Sequence, residues 1–265
     1  MIKRIISWII MIGIAIPVIL IGGDIFNVAI VIIAMLATRE IIKIREKHRD
    51  VPTAMKLITY FFVLVPIGLS LATDIFNVQV NYEYLVALVL MFFVPLVFYH
   101  KQNKYNINDA CYLIGAVLLI GIASSLFILF RNIRMAYIIY ILLITISTDT
   151  FGLIAGLSVG KNKLTPISPK KSWEGAIYGT FMATVIASLF YINVIDPNIN
   201  ILSIILATIF IAVMAQIGDL VFSAIKREFK EKDYSNLIPG HGGVLDRIDS
   251  IIFALLAFAL VLPFL

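Results

Sequence analysis

"ILSIILATIFIAVMAQIGDLVFSAI", residues 201–225, decides what kind of protein this is. At 1.5 Å per residue the run makes a helix of about 37 Å, enough to cross a hydrocarbon core of about 30 Å. Its second half is not uniformly apolar. Gln216, Asp219 and Ser223 recur at spacings of three and four, and Lys226 and Arg227 follow. On a helix these side chains fall in one stripe roughly 100° wide. Such a stripe must face protein or water. Asp219 is its costly member, because a carboxylate at that depth costs about 2.5–3.5 kcal/mol on insertion scales unless it has a partner. The bland account is a polar contact with an arginine or lysine of another helix; the alternative is a functional face.

The rest of the chain repeats this architecture. Of 265 residues, 61% are hydrophobic and 14% charged, and the mean hydropathy of +1.02 lies far outside the soluble range. Apolar windows predict nine spans, near 5–23, 25–38, 57–73, 84–99, 111–130, 135–157, 175–195, 201–225 and 250–265. The second is short and extends through Ile41, Ile42 and Ile44 if its helix runs on into "TREIIKIREKHRD". The expected fold is all-α, a polytopic integral membrane protein with about nine transmembrane helices. With the N-terminus cytoplasmic and the C-terminus outside, all basic residues except Arg131 and Arg134 fall in inside segments, as positive-inside retention requires. The net charge of +5 is then concentrated on one face, which should attract anionic lipid heads and anionic solutes. The expected organisation is a single membrane domain over 1–265, with helical hairpins over 1–134 and catalytic helices and cytoplasmic loops over 135–265.

Several features carry little. The N-terminal apolar run is longer than a signal-peptide h-region and lacks an A-x-A site, so it reads as a retained helix. Cys111 is the only cysteine, and His48, His100 and His241 are too dispersed for a zinc site. "DIFNV" occurs at 24–28 and again at 74–78, a coincidence that a biased alphabet permits. Walker-type and dinucleotide fingerprints are absent, and nothing points to a nucleic acid partner.

Two further stretches hold unusual chemistry. In "TISTDTFGLIAGLSVGK", residues 145–161, Thr145, Asp149, Gly152 and Gly156 share a face. The glycines allow close helix approach and could support a homodimer, while Asp149 sits at a depth similar to that of Asp219. In "GHGGVLDRID", residues 240–249, the glycines permit positive φ and close backbone approach, as in loops whose N–H groups cradle phosphates. Asp246 and Asp249 follow at i and i+3 at the start of the last span. Helix capping accounts for acidic residues there, but not for Arg247 between them or His241 upstream. Acidic cation ligands beside donors for phosphate oxygens suit phosphoryl chemistry on a metal–nucleotide complex. The loop "GKNKLTPISPKKSWEG", residues 160–175, adds Lys161, Lys163, Lys170 and Lys171; retention inside explains lysines there as well as phosphate binding does. Ser172 is a predicted N-cap.

The stretch "SAIKREFKEKDYSNLIPGHGGVLDRID", residues 223–249, resembles the signature of the phosphatidate cytidylyltransferases, also called CDP-diacylglycerol synthases. The pattern Ser-x-apolar-Lys-Arg, four residues, Lys-Asp, then apolar-Pro-x-His-Gly-Gly-apolar-x-Asp-Arg-apolar-Asp is met at every position. The Ser-Pro-Lys-Lys loop ending in Glu174-Gly175 is also similar to the family's. Leu157 and Phe151 depart from it, standing where members often carry a basic residue and a glycine. The resemblance implies reaction of CTP with phosphatidate at the cytoplasmic face of the cell membrane, giving CDP-diacylglycerol and pyrophosphate for phospholipid biosynthesis, with Mg²⁺ and optionally a second cation. On that basis Asp219 and Asp246 are expected as metal ligands, with Asp249 or Asp149 completing the set. Lys226, Arg227, His241 and Arg247 are expected to neutralise phosphate charge. Lys161, Lys170, Lys171, Ser223, Gly242 and Gly243 are expected to hold substrate. The alternatives are a cation-coupled membrane transporter relaying ions through Asp149, Asp219 and Asp246, and the same chemistry on an ether-lipid phosphate.

Overall fold

The computed structural model describes residues 2–72, 82–99, 105–238, 240 and 242–265, giving for 2–10, 12 and 72 the backbone alone. The second "DIFNV", Lys101, Lys104, His100 and His241 lie outside the described residues. Among the described residues there is no strand, only helices, the turns and loops that join them, and two isolated bridges at Lys163–Ser172 and Ile238–Gly242. The helices are α1 (Ile2–Ile21), α2 (Gly23–Glu46), α3 (Thr53–Ala72), α4 (Tyr82–Tyr99), α5 (Ile107–Ile133), α6 (Met135–Val159), α7 (Trp173–Ile195), α8 (Ile201–Glu228) and α9 (Leu245–Phe264). They match the nine expected spans in order. Among the described residues, the eight from α2 to α9 are long and apolar enough to cross a membrane. The chain is an all-α polytopic membrane protein.

By internal packing the chain forms two compact units. One comprises the residues up to Ile133 together with Phe229–Asp246; the other comprises Arg134–Glu228 and Arg247–Leu265.

In the first unit α2 runs beyond its apolar window to Glu46. Its buried face continues through Ile41 and Ile44, and Arg45 Nε donates to Asp109 Oδ1 at 2.8 Å. Asp109 is 1% exposed and also completes a capping box with Asn106 at the start of α5. A buried charge with a bonded partner holds the helix end in place. α2 and α3 pack on α5. A π-turn at Leu118–Ile122 brings Gly121 so close to α3 that an added Cβ would stand 3.2 Å from the Val63 carbonyl oxygen.

The two basic residues that break the polarised pattern both cap helices. Arg131 donates to the Ile19 and Leu20 carbonyls at 3.3–3.4 Å, at the end of α1. Arg134 donates to Val194 at 3.1 Å and Ile195 at 2.5 Å, at the end of α7. Cations there satisfy orphan carbonyls and complement the helix dipole. Gly22, with φ +69°, turns the chain between α1 and α2 where a side chain would overlap the Arg131 guanidinium.

In the second unit α6 and α7 pack through glycines. A Cβ on Gly179 would stand 2.6 Å from the Thr148 carbonyl oxygen, and one on Gly175 2.6 Å from that of Gly152. The small-residue face of α6 is therefore covered by α7 of the same chain. α8 packs on both. The Tyr140 hydroxyl and Thr208 Oγ1 are hydrogen-bonded at 2.7 Å, and Ser188 Oγ donates to Thr208 Oγ1 at 3.0 Å. α9 joins through rings, Phe258 against Tyr140 at 5.7 Å and Phe253 against Phe222 at 6.2 Å.

Candidate active site

The polar stripe of α8 faces protein within the second unit. Gln216 Nε2 donates to Thr180 Oγ1 of α7 at 2.7 Å, and Ser223 Oγ to Asp219 Oδ1 at 3.4 Å. Asp219 has a cationic partner, the Lys171 ammonium, from the loop ahead of α7. That loop is held in register by Leu164 N–H donating to the Lys171 carbonyl at 2.9 Å. The predicted Ser172 cap is present too, its hydroxyl accepting from Gly175 N at 3.1 Å.

Asp149 of α6 interacts electrostatically with Lys171, Asp219 and Arg247. Asp249 of α9 does so with Asp219, Lys226 and Asp149. Four elements thus place Asp149, Asp219 and Asp249 within electrostatic reach of Lys171, Lys226 and Arg247, with Lys171 and Asp219 in direct contact. Lys226 and Asp249 are each 7% exposed, and charges so far removed from water persist only when they compensate one another.

Beside this cluster lies a cavity of about 730 Å³, walled by Asp149, Gly152, Lys170, Lys171, Ser172 and Gln216 among others. Its size falls in the usual range for small-molecule sites, about 300–1,000 Å³. Leu157, the departure from the family pattern, also lines it and is 80% exposed. Lys161 is exposed and stands outside the cavity wall. Arg227 is exposed, its Nε 3.5 Å from the Ile167 carbonyl in the lysine-rich loop.

The glycine-rich loop is built differently from expectation. α9 begins at Leu245, five residues before its apolar window, so Asp246 and Asp249 lie a turn apart within the helix. Asp246 Oδ2 accepts from Gly243 N and Tyr234 N, each at 2.9 Å. Gly242 takes φ +84°, and Gly243 packs against the carboxylate of Glu40 from α2. Glu40 accepts from Ser235 Oγ at 2.6 Å, Val244 N at 2.9 Å and Leu245 N at 2.8 Å. Sequence reasoning missed Glu40, Tyr234 and Ser235. The signal for Glu40 was a lone carboxylate between Ala37 and Ile41 on the buried face, hidden because it opens a run of charges.

The model of the cytidylyltransferase family matches residues 2–265. The chain belongs to that family. It is 32% identical over 254 residues to the phosphatidate cytidylyltransferase of Staphylococcus haemolyticus (strain JCSC1435), covering 95% of each chain. It is 31% identical over 242 residues to that of Staphylococcus aureus (strain COL), covering 90% of each, and 31% identical over 255 residues to that of Staphylococcus epidermidis (strain ATCC 12228 / FDA PCI 1200), covering 95% of each. This member of the cytidylyltransferase family is a nucleotidyltransferase, which replaces the transporter reading.

The donor set fits a hard divalent cation. Among the described residues no three His, Cys, Asp or Glu side chains form a ready-made ion cage, and Mg²⁺ does not need one. It commonly takes one or two carboxylates and completes its shell with water and substrate phosphates.

Proposed function

We propose that this cytidylyltransferase joins CTP to phosphatidate, releasing CDP-diacylglycerol and pyrophosphate, at the cytoplasmic face of the cell membrane. The observation that carries the reading is the cluster of Asp149, Asp219 and Asp249 with Lys171, Lys226 and Arg247 beside a cavity lined by the lysine-rich loop. A lipid phosphate and a nucleoside triphosphate together bring several negative charges into one place. Only a site with both cation ligands and cations can accept them.

A phosphatidate oxygen attacks the α-phosphorus of CTP. One P–O bond forms there as the bond to the β-phosphate bridge breaks, and the electron pair leaves with pyrophosphate. The attacking monoester is largely ionised at neutral pH, its second pKa being near 6, so no side chain has to remove a proton. The chain's work is to hold the reactants in line and to neutralise charge. Lys170 and Lys171 line the cavity wall and meet the nucleotide phosphates. Lys226 and Arg247 balance the aspartates before substrate binds and the phosphates afterwards. Asp219 with Asp249 or Asp149 would hold Mg²⁺ in the second unit, leaving room for a second cation, and Asp246 is proposed as a ligand on the family pattern alone. Bound there, Mg²⁺ supplies Lewis-acid stabilisation of the phosphoryl oxygens.

The test is pyrophosphate release by detergent-purified protein with each nucleoside triphosphate, with and without phosphatidate and Mg²⁺. Release should require CTP, phosphatidate and the cation together. Equal release with all four nucleotides, or release without lipid, would overturn the proposal. An ether-linked phosphate run in parallel reads out the lipid class.

A further inference from the structure

We infer that Glu40 is the positioning residue of the glycine-rich loop, its buried carboxylate setting the N-terminus of α9 and hence the orientation of Asp246. The inference rests on the cytidylyltransferase reading of that loop.

Glu40 is 3% exposed on α2. A carboxylate inside an apolar helix bundle is expensive unless its oxygens are bonded. Among the described residues its three donors, Ser235 Oγ, Val244 N and Leu245 N, come from Phe229–Asp246, the segment that packs with the N-terminal helices. Charge-assisted bonds to backbone N–H groups are short and roughly twice as strong as neutral ones. Gly243 completes the seat, since an added Cβ would stand 2.5 Å from Glu40 Oε2. The same segment is also held by Phe229, whose ring meets Arg45 at 5.9 Å and Tyr112 at 5.4 Å, while the Lys47–Glu231 pair at 2.7 Å, with half the lysine side chain in solvent, holds little.

Successive N–H groups at a helix start ordinarily make a phosphate cradle. Here Gly243 N goes to Asp246, while Val244 N and Leu245 N go to Glu40. The anion of this cradle is built into the chain. Its amides therefore organise Asp246 rather than hold substrate, and phosphate contacts fall to lysine and arginine side chains. With Oδ2 tied to two amides, Asp246 has a single orientation for as long as Glu40 holds the turn.

The experiment pairs hydrogen exchange with kinetics on the full chain in detergent. Glu40→Gln keeps the volume but turns one acceptor into a donor facing an N–H. Glu40→Asp keeps the charge but is one methylene too short to reach both amides; it serves if the first variant does not fold. Each should speed exchange at Val244 and Leu245 by at least about tenfold in protein without nucleotide or lipid, with α6 to α8 unchanged. In CDP-diacylglycerol synthesis, kcat should fall about 100-fold, and half-saturating Mg²⁺ should rise about tenfold. The KM for CTP should stay within about threefold of the parent, because uniform binding is untouched. Ser235→Ala, losing one bond of three, should lose less than about tenfold in kcat. Thr38→Val serves as control, because Thr38 is buried nearby on α2 and, among the described residues, its hydroxyl bonds its own helix at Ala34; exchange at 244–245 should not change. Parental exchange in both Glu40 variants, uniformly faster exchange along the chain, or parental kcat would overturn the inference. Failure of the parent to make CDP-diacylglycerol would instead reject the proposed function, and the exchange result would still decide the clamp.

Discussion

Lys171, in the loop ahead of α7, is ion-paired with Asp219 of α8. Both side chains are about three-quarters shielded from solvent, so the pair is worth more than a surface bridge. Lys171→Met should lower kcat/KM by about 1.5–3 kcal/mol, the usual value of a bond to a charged group, which is roughly ten- to 150-fold. Steady-state kinetics with CTP varied checks this; an unchanged kcat/KM would remove Lys171 from the site.

The two aspartates most exposed to the proposed chemistry should separate by their second roles. Asp219→Asn should abolish turnover while leaving membrane insertion and the loop over 229–246 as in the parent. Asp246→Asn should abolish turnover and also loosen the loop, because an amide nitrogen in place of Oδ2 cannot accept from Gly243 and Tyr234. Insertion assays with proteolysis of residues 229–246 distinguish the two. Retained activity in both variants would reject the metal-ligand proposal.

Gly179→Leu should separate α6 from α7. Even its Cβ would stand 2.6 Å from the Thr148 carbonyl, and overpacking of this kind costs about 1–3 kcal/mol. A lower thermal midpoint in detergent is expected, with activity lost because the cavity walls on Asp149 and Ser172 move apart.

Gly22→Ala should be destabilising but catalytically silent. The backbone there has φ +69°, and the new methyl would displace the Arg131 guanidinium from the end of α1. A loss of about 1 kcal/mol from the backbone alone is expected, read as a lowered midpoint with an unchanged kcat.

Chelation should silence the enzyme reversibly. Pyrophosphate release should vanish with EDTA and return on adding Mg²⁺. Activity that persists in excess chelator would mean that the aspartates serve the lysines alone.

Much of this was written in the chain itself. The nine apolar runs, most of them at spanning length, the stripe from Gln216 to Lys226 and the 27-residue signature around Asp246 are local patterns. A helix period and a hydrophobic length are properties of a single segment. Arg131 and Arg134 looked like exceptions to charge retention, and only the ends of α1 and α7 show what they bind.

What only the tertiary structure decided concerns pairs distant in sequence. Glu40 reaches Val244 and Leu245 across some two hundred residues, and Lys171 finds Asp219. Gly152 and Gly175 let α6 and α7 approach closely. No period or composition encodes which carboxylate meets which donor, because that choice follows from how finished helices pack, and packing is settled by shape and by burial of charge across the whole bundle.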